Sequence, residues 1–116
     1  MKKQHIRIDT NSYIKNLNYY VEIKNEVPIA YITFVNISKA TISAIKFLAK
    51  GYNSFGDLVA INGKEQFLII IQDVAIKPNE NSGIVQVSLP NKDIRKLELV
   101  ENQFCSTDGY VLTYQG

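Results

Sequence analysis

From Pro28 to Asp57 the chain reads PIAYITFVN, then ISKAT, then ISAIKFLAKGYNSFGD: two apolar, β-branched and aromatic runs around a short polar turn. Ala30, Ile32 and Phe34 alternate with Tyr31, Thr33 and Val35, and Ile45, Phe47 and Ala49 alternate with Lys46, Leu48 and Lys50. A period of two is the signature of a strand with one buried face. The spacing predicts a long β-hairpin turning at 36–41, followed by a glycine-punctuated corner at 51–57.

The same period recurs along the rest of the chain. Ile6 and Ile8 flank Arg7, and Tyr19, Val21 and Ile23 alternate with Tyr20 and Glu22. Between them Tyr13, Ile14 and Leu17 fit either a helical turn or an irregular strand. Asn25 to Pro28 reads as a break, since proline sits best at a strand start. Asn62-Gly63, between Val59–Ile61 and Lys64–Ile71, is a strong hairpin signal because both turn residues need positive φ. Val85, Val87 and Leu89 form a further strand. Leu97 and Leu99 form another, and Asp108-Gly109 marks a last hairpin. No window sustains a helical period, so the expectation is an all-β sandwich or barrel. A core of Ile32, Phe34, Ile45, Phe47, Val85, Val87, Leu97 and Leu99 follows.

At 116 residues the chain reads as one domain spanning 1–116. Thirteen basic and eleven acidic residues are interspersed without a dense basic face, which argues against nucleic acid as a partner. The longest apolar run, Phe67 to Ile71, is too short to span a bilayer as a helix. Met1-Lys2-Lys3 is followed by polar–apolar alternation and not by a signal-peptide core. The expected location is cytoplasmic if Met1 is the native start, and the cell envelope if the chain is an excised domain.

Residues with chemistry are few. His5 is the sole histidine and Cys105 the sole cysteine. His5 reads as a surface residue beside a strand and Cys105 as a small hydrophobe, with no intrachain disulfide. Asp57, Asp73, Glu80 and Asp108 fall in turns, where carboxylates bond their own backbone. Asn36-Ile37-Ser38 matches a glycosylation sequon, yet a hairpin turn accounts for the same residues. No catalytic residue, metal ligand or cofactor-binding residue is assigned, and no cofactor is expected. The seven tyrosines suit either strand propensity or an interface, and Tyr20 and Tyr31 are the candidates for contact. Phe67 to Ile71 is apolar on both faces. With Phe67, Ile69 and Ile71 inward, Leu68 and Ile70 need a cover. It is either the segment Tyr13 to Leu17 or another protein, for which a homodimer is the commonest form.

Phe34-Val35-Asn36-Ile37-Ser38, Thr41-Ile42, Ala44-Ile45-Lys46-Phe47, Tyr52, Phe55-Gly56-Asp57 and Ile76-Lys77-Pro78 together resemble a bacterial group of immunoglobulin-like β-sandwich domains of unknown function, the FxLYD type and its relatives. The stretch from Leu89-Pro90 through Asp108-Gly109 resembles the tail of that pattern. Asn79 stands where the pattern has glycine, and the zinc-binding cysteines found beside some of these domains are absent here. The resemblance implies an Ig-like antiparallel sandwich of about seven strands, acting as a non-catalytic accessory module through protein–protein contacts. The alternative is a small-ligand-binding or enzymatic sandwich whose site is assembled from residues distant in sequence, such as Cys105, His5 and a carboxylate.

Overall fold

The computed structural model describes residues 4–8, 13–106 and 110–115. They form β1 (Gln4–Ile8), β2 (Ile14–Lys24), β3 (Val27–Asn36), β4 (Ile42–Tyr52), β5 (Leu58–Val59), β6 (Phe67–Ile71), β7 (Val85–Ser88), β8 (Lys96–Ser106) and β9 (Tyr110–Gln115). The architecture is the expected all-β sandwich of two sheets. Seven strands of four residues or more make antiparallel ladders. The two-residue β5 and β1, which pairs parallel with β9, are additional. The larger sheet runs β1-β9-β8-β4, with β5 and β6 both on the far side of β4; the smaller runs β2-β3-β7.

β3 and β4 are not the two arms of a hairpin: one lies in each sheet. In a hairpin their alternating apolar residues share a face. Here they meet across the interior, with Phe34 and Phe47 edge to face, 6.3 Å between centroids. Ala30, Ile32 and Phe34 of the smaller sheet pack on Ile45, Phe47 and Ala49 of the larger, joined by Ile42, Ile69 and Ile94. Val85, Val87, Leu97 and Leu99 pack half-buried at the margin of this core.

The turn from β3 to β4 is held by Asn36, which is fully buried. Its Nδ2 donates to the carbonyls of Ala40 and Ile76, both at 2.8 Å. Its Oδ1 accepts from the Ser38 N–H at 2.9 Å and the Ser38 hydroxyl at 2.7 Å. With both amide hydrogens engaged in the interior, the sequon residue is closed to a glycan in the folded chain. The Asn79 N–H donates to the Asn36 carbonyl, and Asn79 takes a φ of 66°, the left-handed conformation that a glycine would supply.

Three local expectations change. Asn25 to Pro28 is not a break but a tight hairpin: Asn25 and Glu26 have φ of 49° and 67°, and Lys24 faces Val27. Pro28 fits in β3 because its carbonyl accepts from Leu89 on the β7 side, so its missing N–H takes nothing from the β2 ladder. Asn62-Gly63 does turn, but its hairpin has one rung, Ile61 with Lys64. β5 and β6 instead lie in line along β4, and residues 60–66 loop out between them. Gly51 is inside β4 and not in a corner; a Cβ there would lie 2.8 Å from Ile94 Cδ1. Near Tyr13 the irregular strand is the outcome, with a bulge between Lys15 and Asn18 and Asn16 at φ 53°. β8 and β9 pair antiparallel, as a last hairpin would, while Asp108-Gly109 lies outside the described residues.

Glu26 occupies a left-handed position without the freedom of glycine. Glu26→Gly creates the Asn-Gly pair favoured in two-residue hairpins and should raise stability by about 0.5–1 kcal/mol, the relieved backbone outweighing added unfolded-state entropy. A urea melt with an unchanged or lower midpoint would show the turn unstrained.

Candidate interaction surface

Pairing register decides which side chains share the outer face of the larger sheet. Leu68 lies opposite Leu48, Ile70 opposite Lys46, and Leu58 opposite Tyr52. Inward, Phe67, Ile69 and Ile71 enter the core as their spacing predicts. Outward, Leu68 is 51% exposed, Ile70 50% and Leu58 38%. The expected cover from Tyr13 to Leu17 is not made. Tyr13 and Ile14 are themselves part of the core, with Leu17 packed against it, and the outer side chains of β6 stay in solvent. Their neighbours toward β8 are polar: Lys50 faces Glu98, whose Oε1 accepts from the Tyr52 hydroxyl at 3.1 Å. Desolvation, then Glu98, lifts the Tyr52 phenol above its ordinary pKa. An apolar stripe therefore follows the β5–β6 margin, with a charged strip beside it.

A shallow depression of about 640 Å³, lined by Leu48, Lys64, Glu65, Gln66, Phe67 and Leu68, lies where the chain leaves the ladder between β5 and β6. At the end of β4 the loop 53–57 is cross-braced. Asn53 Oδ1 accepts from the N–H groups of Phe55 (2.9 Å) and Asp57 (3.0 Å), and Gly56 takes a φ of 83°. This loop holds Phe55 at 89% exposure. A smaller cleft of about 220 Å³ separates it from Asp93 and Arg95, and Arg95 is anchored by its Nη1 on the Lys92 and Ile94 carbonyls.

Of the four residues expected at an interface, Leu68 and Ile70 share this stripe. Tyr20 and Tyr31 face each other across β2 and β3, on the other sheet. Tyr20 is 51% exposed, but Tyr31 is only 7% exposed and drops out as a contact residue. It points outward as its spacing predicts and is then covered: Tyr20 stacks on it at 5.0 Å, and Lys24 Nζ stands 5.5 Å from its ring centre. The Tyr31 side chain holds the Lys24 ammonium above its ordinary pKa. Leu58 and Phe55 were missed. The legible signal for Phe55 is a bulky aromatic stranded between Ser54 and Gly56 in an otherwise polar turn.

Asp57, Asp73 and Glu80 sit in turns as expected, Glu80 Oε1 accepting from the Lys77 N–H at 3.1 Å. Among the described residues no three His, Cys, Asp or Glu side chains gather as metal ligands. Backbone register puts His5 and Cys105 in one row with Val111 between them, two strand spacings or roughly 9.5 Å apart. No described helix is long and apolar enough to cross a membrane. No family model, curated protein or solved structure matches this chain.

Proposed function

We propose that the chain is a non-catalytic, Ig-like interaction module that binds another protein through the outer face of its larger sheet. Strand order supports the Ig-like reading. β6-β4-β8-β9 follows the C′-C-F-G sheet of immunoglobulin domains, and β2-β3-β7 follows A-B-E. The observation that carries the function is the stripe of Ile70, Leu68 and Leu58, with Phe55 held out on a braced loop. Exposed apolar side chains gathered on one face mark contact surfaces, and a few anchoring side chains dominate the energetics of such contacts.

The test is a pull-down with wild type and Phe55→Ala/Leu58→Lys as paired baits. The variant should keep its urea stability within about 0.5 kcal/mol, as exposed positions do. It should lose most of the partner that wild type retains. Equal retention by both baits would remove this surface from the function.

A further inference from the structure

The two outer edges of the smaller sheet are guarded against another strand. β2 carries a bulge at Asn16 and exposed Lys15, Glu22 and Lys24; β7 is four residues long, between Gly83 at φ 72° and Pro90. Short strands, bulges, charges and proline are the usual protections of an unpaired edge. β6, at five residues only one longer than β7, has no bulge, charge or proline. It pairs only with β4 among the described residues, and Gln66 to Gln72 contains no charge, proline or glycine. The segment is also nearly the same read in either direction, Gln-Phe-Leu-Ile-Ile-Ile-Gln about Ile69.

Resting on the reading of the chain as an interaction module, we propose that its partner on this edge is a second copy. β6 pairs antiparallel with β6 of the other molecule about a two-fold axis at Ile69, and the two larger sheets become one continuous sheet. Opposed residues of antiparallel strands share a face. The axis therefore sets Leu68 against Ile70 on the outer face, at both ends of the contact. Phe67 meets Ile71 on the inner face, and Gln66 meets Gln72 at the margins. A two-fold contact needs a patch complementary to itself, and this segment is one. Its lack of charge leaves nothing to repel its own copy.

Sedimentation equilibrium in reducing buffer, from micromolar to millimolar chain, tests the pairing. Wild type should rise from 13.1 kDa toward twice that mass. Leu68→Lys/Ile70→Lys sets lysine against lysine twice and should stay at the single-chain mass with an unchanged urea midpoint. Leu68→Lys/Ile70→Glu sets lysine against glutamate twice and should associate again, losing that association in high salt. If the lysine pair unfolds the chain, Leu68→Thr/Ile70→Thr carries the same comparison on a strand-favouring side chain. A wild type that stays at 13.1 kDa throughout overturns the proposal, as does a lysine pair that associates as tightly as wild type. A Lys/Glu variant no better than Lys/Lys overturns the axis and the pairing with it. The pull-down with Phe55→Ala/Leu58→Lys is read separately from these results, because neither of those two residues belongs to β6.

Discussion

Phe47→Ala is expected to cost about 3–5 kcal/mol, the range for truncating a buried aromatic. Phe47 is fully buried at the centre of β4, with ladder partners on both sides: Ile69 on β6 and Asn102 on β8. Its ring meets Phe34 of the opposite sheet edge to face. The truncation therefore removes transfer energy, an aromatic pair and the contact that sets how the two sheets approach. The β6 ladder runs unbroken past Phe47, and the β8 ladder shifts register just after Leu48; held between them, the site collapses little around the void. Against a total of ~5–15 kcal/mol such a loss leaves a marginal domain or none. A urea melt of Phe47→Ala within about 0.5 kcal/mol of wild type would mean that the sheets do not pack as described.

Asn36→Ala should cost about 2–4 kcal/mol, more than its small volume suggests. The side chain makes four hydrogen bonds, three within the turn and one to Ile76. The Ile76 carbonyl keeps its bond from the Ile42 N–H, and the Ser38 hydroxyl, released from Oδ1, turns its one proton to the Ala40 carbonyl. The Ser38 N–H loses its acceptor. Asn36→Asp separates polarity from volume. A carboxylate has no hydrogen to offer the two carbonyls, so ionisation in the folded state is opposed and the carboxyl pKa rises above its unfolded value. The folded variant then binds more protons than the unfolded one, and its stability relative to wild type falls as pH rises through the carboxylate range. Equal stability of Asn36→Asp and wild type at neutral pH would show the two donor bonds to be dispensable.

Alternation made the class of fold, and most of its inward residues, readable from the chain. Ile32, Phe34, Ile45 and Phe47 are where the period of two places them, because a pleated strand leaves one choice of inner face once its register is known. Period is silent on which sheet a strand joins. The runs on either side of 37–41 look alike whether they pair or face each other, and the deciding element is the side chain of Asn36, whose partner Ile76 lies 40 residues on. At Asn62-Gly63 the turn chemistry was legible, but the strands beside it find better partners on β4. Leu68 and Ile70 were readable as outward residues because five apolar residues in a strand cannot all be inside. Tyr31 was not readable as buried, since its cover is a ring and an ammonium from a neighbouring strand.

The division of β3 and β4 between sheets also bears on how quickly the chain reaches its folded state. Neighbours in sequence pair as β2 with β3 and β8 with β9, but neither pair joins the two sheets. The central ladder, β4 with β8, joins residues 44 to 64 positions apart, and β3 with β7 is comparably remote. Each demands closure of a long loop before any contact rewards it, as slow-folding β topologies do. Refolding is therefore expected in milliseconds to seconds, not microseconds. The rate-limiting event is the meeting of distant strands around Phe34 and Phe47.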